Sequence, residues 1–199
     1  MTFSAVLSAL GGGYDIRGCT FTEDAFSGCA AYLTFSDVRF VRCRFTGVDF
    51  SACQFTRCSF EGCDLSNCRF ADGYFGNTAF SGTKAVGADF SRTVFRDVKV
   101  GGSAFRFANF DGAKWDHVTL ADCSLAESAM TGLSLRAVIF TDCDLTRAEL
   151  FRTPLRGMDL RTCQIRGITV SDTFAELRGA VVDEMQAVEL SRFLGVEIK

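Results

Sequence analysis

The stretch that decides the fold is residues 35–80, FSDVR-FVRCR-FTGVD-FSACQ-FTRCS-FEGCD-LSNCR-FADGY-FGNTA-F, written here in blocks of five. Each block starts with Phe, except one that starts with Leu65, and the phase continues as 28 apolar positions up to Val170. Because 48% of the chain is hydrophobic, chance would produce such a run about once in 10⁹. The period fits neither a helix of about 3.6 residues per turn nor a strand, so it predicts a repeat architecture.

A chain that turns a corner every five residues places one apolar centre per side inside a coil. Four such sides close a square coil of about 20 residues, which gives about eight parallel coils stacked at ~4.8 Å. The usual hand of parallel β connections makes the winding right-handed. The predicted fold class is all-β: a right-handed quadrilateral parallel β-helix with a short C-terminal α-helix. Stacked Phe and Leu side chains fill its interior and leave no room for a substrate.

The five-residue phase divides the chain into three parts. Residues 1–15 lack the phase and are predicted to form an N-terminal cap, whereas residues 16–172 are predicted to form the β-helix. One register break is expected near residues 31–34, because the spacing from a centre at Ala31 to Phe35 is four residues instead of five.

The third part, residues 173–199, changes character and is predicted to be a C-terminal helical cap and dimerisation segment. Asp183 followed by Gln186 resembles a capping box, which marks a helix start. Apolar residues follow at helical spacing, and Gly195 is a natural helix stop.

The ten cysteines all fall two residues before a predicted apolar centre, in a phase that mostly selects small side chains. Cysteine behaves as a small apolar residue and buries readily, so reduced structural thiols are expected. The run Cys53, Cys58, Cys63 and Cys68 does not match the usual ligand spacing of a zinc site, and neither a metal nor another cofactor is predicted. His117, the single histidine, is placed outward at a corner without a catalytic partner. No nucleophile–base pair or phosphate-binding loop occurs at a spacing compatible with the five-residue repeat, so no enzymatic activity is predicted.

Composition narrows the class of partner. The net charge of −3 disfavours a generic polyanion binder, so no direct nucleic-acid binding is predicted. No apolar run approaches the ~18 residues of a membrane span. The first 13 residues contain no Lys or Arg and so lack the basic region of a signal peptide. The prediction is a cytoplasmic protein that does not contact a membrane.

Three blocks carry a recognisable motif: residues 63–67 (CDLSN), 88–92 (ADFSR) and 143–147 (CDLTR). They resemble the pentapeptide-repeat family, whose motif is Ala/Cys, Asp/Asn, Leu/Phe, Ser/Thr and any residue. The resemblance covers about residues 16–172 and implies the quadrilateral β-helix. For function the repeat implies little, since a scaffold is not a site.

The tail, Leu-Gly-Val-Glu-Ile at residues 194–198, resembles the topoisomerase-associated branch of this family, the Qnr and mycobacterial MfpA-type proteins. That resemblance implies a rod that imitates duplex DNA, binds DNA gyrase or topoisomerase IV and protects it from quinolones or other poisons. Qnr proteins carry projecting loops, whereas the unbroken register here is closer to the MfpA pattern. The resemblance also implies a homodimer through the C-terminal segment, with the interface residues Leu177, Val181, Met185, Val188, Phe193, Leu194, Val196 and Ile198.

A DNA mimic needs carboxylates along one face, and counting in steps of 20 assigns them. The sides centred on residues 50, 70 and onward carry three arginines and six carboxylates, a net −3. Two alternatives stay open: scattered charge that keeps a rod soluble, or an interaction scaffold with an unrelated partner. The acidic face consists of Asp49, Asp72, Asp89, Asp111, Glu149 and Asp172.

Overall fold

A computed structural model describes residues 2–11 and 13–196. The chain is a parallel β-solenoid with a short helix at each end. Short 3-10 helices span Ala175–Leu177 and Arg192–Leu194. The other elements are α1 (Phe3–Ala9), β1 (Asp15–Arg17), β2 (Thr20–Thr22), β3 (Thr34–Ser36), β4 (Arg39–Val41), β5 (Gln54–Thr56), β6 (Ser59–Glu61), β7 (Tyr74–Gly76), β8 (Ala79–Ser81), β9 (Val94–Gly101), β10 (Lys114–Ala121), β11 (Ser134–Arg136), β12 (Ile139–Thr141) and α2 (Glu184–Ser191).

The solenoid has four faces, each a column of five-residue sides. Face 1 is centred on Phe35 and every twentieth residue after it, and it contains β1, β3, β5, β7, β11 and the first halves of β9 and β10. Face 2 is centred likewise on Phe40 and contains the remaining strands. Faces 3 and 4 are centred on Phe45 and Phe50. Within each of these two faces, single parallel bridges join successive coils. All four columns run with the parallel register predicted from the spacing.

The strands trace about six turns from β1 to β11, so the predicted count of about eight coils was slightly too high. Proline explains where the face 1 ladder stops. In the preceding coil the Ser134 N–H donates to the Ala113 carbonyl at 3.0 Å. The equivalent residue one coil later is Pro154, which has no N–H to donate. The last coil therefore consists of turns and isolated bridges.

Every predicted centre from Phe35 to Val170 is buried except Leu135, which is half-buried. On face 1 the rings stack in register from coil to coil: the centroids of Phe35 and Phe55 are 4.6 Å apart, and those of Phe55 and Phe75 are 4.8 Å apart. Neighbouring columns meet edge to face, the other favourable aromatic geometry. The interior is thus filled by the five-residue centres.

The corners follow from one backbone conformation. The residue two positions after a centre has positive φ in nearly every side; Asn67 has φ 56° and Gly87 has φ 68°. Asn, Asp and Gly adopt this left-handed conformation most readily, whereas other residues pay a modest cost that the coil hydrogen bonds offset. Sequence periodicity therefore becomes a sharp turn at every fifth residue.

The register break lies earlier than predicted. Ala25 bridges Arg44, an offset of 19 residues, whereas Cys29 bridges Asp49, an offset of 20. The missing residue therefore falls between positions 25 and 29, not within 31–34, and Gly28 with φ 127° makes the shortened turn. The buried centre is Ala30 rather than Ala31.

This shift also corrects the phase of one cysteine. Cys29 directly precedes the buried Ala30 and is exposed, so it does not share the inward phase of the others. In the inward phase, thiols and hydroxyls donate to backbone carbonyls of the previous coil: Thr78 Oγ1 lies 3.2 Å from the Phe55 carbonyl oxygen, and Cys68 Sγ lies 2.7 Å from that of Phe45. Apart from the Ser128 hydroxyl, which has no partner among the described residues, small polar side chains are therefore buried with their groups paired at these positions.

The N-terminal end of the coil stack is closed by α1. Phe3 is completely buried and its ring lies 5.0 Å from that of Phe26 and 5.2 Å from that of Phe45. The Phe3 N–H donates to the Asp24 carboxylate. An uncovered coil end would expose apolar side chains and unpaired strand edges to water. The helix α1 covers both. None of the helices in residues 2–11 and 13–196 has the length and apolar content to cross a membrane.

Candidate interaction surfaces

The six carboxylates predicted to form an acidic face do lie on face 4. In the column just before the buried centres, Asp49 and Asp89 flank Arg69 on successive coils. Alternating charge at strand spacing is favourable, so part of the negative charge is offset within the face.

Two of these carboxylates are also engaged in their own turns, and a third contacts the backbone of the next coil. Asp49 Oδ1 accepts from the Ser51 N–H at 2.9 Å and from the Ser51 hydroxyl, and the hydroxyl bond lowers the pKa of Asp49. Asp89 accepts from the Ser91 N–H at 3.0 Å, and Asp111 accepts from the Thr131 N–H at 2.8 Å. Asp49 and Asp89 therefore stabilise side-to-side turns, and Asp111 stabilises the contact between two coils.

A fourth carboxylate, Asp72, is paired with Arg92 of the next coil through two bonds of 2.7 Å. The Arg92 hydrogen bond lowers the pKa of Asp72, and Asp72 raises the pKa of Arg92. Glu149 and Asp172, by contrast, are exposed and make no ion pair within the described residues. Arg152 on the same face is also exposed and makes no ion pair within the described residues, so the C-terminal half of face 4 carries Asp111, Glu149 and Asp172 against one arginine.

His117 lies at a corner of face 1, as predicted, with its Nδ1 3.0 Å from Asp116 Oδ1. Arg96 and Arg136 also reach the second oxygen of Asp116, at 3.7 Å and 3.3 Å. One carboxylate therefore serves three cationic or potentially cationic neighbours.

The cysteines are all free, and residues 2–11 and 13–196 contain no cluster that could hold a metal ion. Burial raises the pKa of Cys58 to about 11 and that of Cys53 to about 12. Cys123, Cys143 and Cys163 stack on successive coils, and the hydrogen bond from Cys143 lowers the pKa of Cys123 to about 7. Stacked thiols that donate to carbonyls match the small-residue role expected from their phase.

The C-terminal residues predicted as a dimer interface divide into two groups. Leu177 and Phe193 are half-buried, and the Phe193 ring packs 5.6 Å from that of Phe174. These two side chains cover the last coil. Ile198 lies outside the described residues. The exposed group is Val181 (43%), Met185 (76%), Val188 (41%), Leu194 (70%) and Val196 (49%).

The C-terminal cap satisfies the backbone of the last coil with two buried polar side chains. Glu176 is 4% exposed, and its carboxylate accepts from the Arg152 N–H at 2.8 Å, the Ser171 hydroxyl at 2.8 Å and the Ser171 N–H at 3.3 Å. Burial acts to raise the pKa of Glu176, but these hydrogen bonds outweigh it and hold the pKa below its ordinary value of 4.5. Nothing in the sequence marked Glu176, since an isolated glutamate after the repeat has no distinguishing pattern.

Replacing Glu176 by glutamine is expected to make stability less dependent on acid. A lowered folded-state pKa means that the carboxylate's contribution is fully present above its unfolded pKa and is lost as the pH falls through its folded pKa. At pH 7 the variant should be less stable by about 1–3 kcal/mol, because the glutamine NH₂ cannot accept from Ser171. Thermal melts of both proteins from pH 7 to pH 3 should converge at low pH. Glu149→Gln, at an exposed site, is the control; a pH-independent gap would contradict the role of Glu176.

Gln186 is the second capping side chain. Its Nε2 donates to the carbonyls of Leu160 at 2.8 Å and Cys163 at 2.6 Å, and its Oε1 accepts from the Asp183 N–H at 2.9 Å. The Asp183 carboxylate in turn accepts from the Gln186 N–H at 2.8 Å, which confirms the predicted capping box. The sequence pattern identified the helix start, but the two bonds from Gln186 to the last coil were not foreseen.

Comparison with protein families identifies two matching models. The model described as pentapeptide repeat region matches residues 53–130, and the model described as pentapeptide repeats (9 copies) matches residues 32–73. A comparison with curated proteins found no match.

Solved structures of the same kind were also found. A trypsin-treated form of QnrB1, a plasmid-mediated fluoroquinolone resistance protein, shares 18% identity over 93% of this chain and 97% of its own, with a TM-score of 0.45. A pentapeptide repeat protein from the Arabidopsis thaliana thylakoid lumen shares 24% identity over 51% of this chain and 68% of its own, with a TM-score of 0.43. HetL from the cyanobacterium Nostoc, involved in heterocyst differentiation regulation, shares 15% identity over 92% and 98%, with a TM-score of 0.28. The two family models together span residues 32–130, and with the five-residue coil they show that this part of the chain carries pentapeptide repeats.

Proposed function

We propose that this protein is a non-enzymatic rod that binds a type II DNA topoisomerase, DNA gyrase or topoisomerase IV, in place of duplex DNA. It would thereby modulate the enzyme or protect it from quinolones or other poisons. The observation that carries the proposal is the alignment of six carboxylates along face 4 of a solid rod. The resemblance of the repeat and tail to the topoisomerase-associated branch supports the same partner.

The charge density of face 4, compared with that of duplex DNA, indicates how tightly the protein should bind the topoisomerase. Its carboxylates are spread over about six coils, or roughly 29 Å at strand spacing, which is one carboxylate per ~5 Å. Duplex DNA carries one charge per ~1.7 Å. With Asp72 paired to Arg92, the face offers less than a third of the charge of DNA. We therefore expect binding at micromolar rather than nanomolar concentrations.

The test uses the carboxylates in the C-terminal half of face 4, which make no ion pair within the described residues. The triple variant Asp111→Asn, Glu149→Gln and Asp172→Asn should weaken any effect on gyrase supercoiling and on poison-stabilised cleavage by about tenfold. Each substitution removes one negative charge that would attract the DNA-binding surface of the enzyme. Assays should include a quinolone and a non-quinolone poison. The matched control removes three carboxylates from the other faces: Asp97→Asn, Asp122→Asn and Asp142→Asn. Wild-type protein that leaves both reactions unchanged at micromolar levels would refute the proposal.

We also propose that the exposed apolar residues of the C-terminal segment form a homodimer interface. Met185 and Leu194 are the most exposed large apolar side chains among the described residues of this region, and exposed apolar surface of this kind is typical of interfaces. The variant Met185→Asp with Leu194→Asp should sediment as a monomer, whereas Ile139→Asp, at a 57% exposed site on face 2, should not change the oligomeric state. If the wild-type protein were monomeric at ~100 μM, a dimer with a dissociation constant below about that concentration would be excluded.

The alternative function, an interaction scaffold with an unrelated partner, also has an observation in its favour. Many charged side chains are paired between coils, but Arg156 and Arg178 near the C-terminal end of face 1 make no ion pair within the described residues. These arginines do not belong to face 4 and call for a partner of their own.

A further inference from the structure

We propose that face 1, at its C-terminal end, binds an acidic α-helix of a partner protein through an arginine stack formed by Arg136, Arg156 and Arg178. The proposal does not depend on topoisomerase binding, because it uses a different face of the rod.

The three arginines follow one another along the rod axis. Arg136 and Arg156 each come one residue after a centre of face 1, Leu135 and Leu155, so they occupy equivalent positions on successive coils. Arg178 lies in the segment that covers this coil after the ladder has ended: the Leu155 N–H donates to the Glu176 carbonyl and the Gly157 N–H to the Gly179 carbonyl, both at 2.8 Å. Gly179 lies directly over Arg156, and Arg178 is the residue before it. All three side chains are exposed.

Such stacking is costly and contrasts with much of the surface. Like charges directly opposite each other on neighbouring strands are destabilising. Elsewhere, arginines face carboxylates of adjacent coils: Arg57 lies 2.7 Å from Asp37, and Arg42 lies 2.8 Å from Glu23. Pairs of like charge that make no ion pair within the described residues also occur elsewhere, at Arg147 and Arg166 and at Asp122 and Asp142. Here, however, three arginines lie close together, which gives up stability locally and is a mark of function.

The available carboxylates do not neutralise the stack. Arg136 is 74% exposed, and its one partner, Asp116, is shared with Arg96. Arg156 and Arg178 make no ion pair within residues 2–11 and 13–196. Glu176, the nearest acidic residue in sequence to Arg178, is buried and committed to backbone N–H groups. The guanidinium groups are therefore free to bind carboxylates from outside in the two-bond geometry that arginine favours.

The spacing selects the form of the partner. Face 1 repeats at 4.8–5.0 Å, measured between the stacked rings of Phe55, Phe75 and Phe95. An α-helix repeats a surface position about every 5.4 Å, so carboxylates at successive turns stay within ~1 Å of register over two steps. An extended strand repeats a face about every 6.8 Å and falls out of register by ~4 Å over the same distance. Flexible arginine side chains can adjust to the ~1 Å mismatch of a helix more readily than to the ~4 Å mismatch of a strand.

A protein helix also suits the patch better than a nucleic acid does. The stack covers only about three coils, and the chain carries a net charge of −3. Face 4, with its exposed Glu149 and Asp172, adjoins face 1 around the coil, so a long polyanion lying across both would be repelled. A short acidic helix aligned with the rod axis avoids that face.

The test uses the full chain and three alanine-rich helical peptides labelled for fluorescence anisotropy. One carries Glu at every fourth position, one carries Gln at the same positions, and one carries Glu at every second position. The first should bind best at low salt, and the variant Arg136→Glu with Arg156→Glu should weaken its binding by about tenfold or more. The matched control is Arg147→Glu with Arg166→Glu, two exposed arginines of face 3 with no ion pair among the described residues; its affinity should stay within about twofold.

Equal losses in the two double variants, or equal binding of the Gln peptide, would overturn the proposal. Tighter binding of a short duplex DNA than of the fourth-position Glu peptide would overturn it in favour of a nucleic-acid partner. An independent readout is stability: Arg156→Glu should raise the melting temperature, because a carboxylate between Arg136 and Arg178 restores the alternation. A lower melting temperature in that variant, with its fold intact, would refute the claim that repulsion among the three arginines destabilises the protein. None of these substitutions touches the face 4 carboxylates, so the topoisomerase assays should not change.

Discussion

Replacing Phe3 by alanine is expected to lower the free energy of unfolding by about 3–5 kcal/mol, the range for truncating a fully buried phenylalanine. The ring lies within 6.3 Å of six others, including those of Phe21 and Phe40, so no neighbouring side chain can fill the space it leaves. In addition, α1 has only seven residues and is too short to persist without this anchor. We expect α1 to detach and the first coil to lose its cover.

Urea unfolding measures the loss, and hydrogen exchange locates it. In a repeat protein each coil contacts mainly its neighbours, so amides of β1 and β2 should exchange faster while those of β9 and β10 stay protected. Phe107→Ala makes the same chemical change at a 51% exposed corner and should cost less than about 1 kcal/mol. A comparable cost for the two variants would mean that α1 does not close the coil in solution.

Replacing Gln186 by leucine is expected to cost about 2–4 kcal/mol. The substitution keeps the approximate size of the side chain but removes both bonds to the carbonyls of Leu160 and Cys163 and the bond from the Asp183 N–H. Each buried group left without a partner costs about 1–3 kcal/mol. Partial rehydration of the loosened end offsets some of that sum, because α2 is short and can move away.

The same urea titration applies, with amide exchange near residues 160–165 as the local readout. Gln164→Leu is the matched control, because Gln164 is exposed on face 3 and its side chain makes no hydrogen bond within the described residues. That control should stay within about 0.5 kcal/mol of the wild type. If Gln186→Leu were equally mild, neither the bonds from Gln186 to the last coil nor its bond to the Asp183 N–H would contribute to stability. Loss of the C-terminal helix should also abolish the proposed dimer.

Much of the coil could be derived from the sequence because periodicity is a local property. A centre every five residues can be counted without knowing any contact, and the faces follow by counting in steps of 20. That count placed Asp49, Asp89 and Glu149 on one face correctly. It could not say which carboxylates are free, since the pairing of Asp72 with Arg92 depends on two side-chain conformations on different coils.

The one-residue slip shows the limit of the same argument. Between Phe26 and Phe35 both Ala30 and Ala31 are apolar, so the phase alone does not decide which of them is the centre. Hydrogen bonding decides it, because the bridges of Ala25 and Cys29 differ in offset by one residue and Gly28 supplies the left-handed turn. The misplaced break carried Cys29 into the wrong phase.

The sequence by itself determined the architecture of this protein: a repeated apolar residue can be buried at every fifth position only if the chain turns a corner between centres. It also determined the role of the inward cysteines, since position within the repeat sets burial. The tertiary structure alone decided how the ends are closed and where charge is left unpaired. Phe3, Glu176 and Gln186 lie outside the repeat, and each acts on residues about 20 positions or more away. Such contacts depend on which segments meet in space, and no periodic pattern records that.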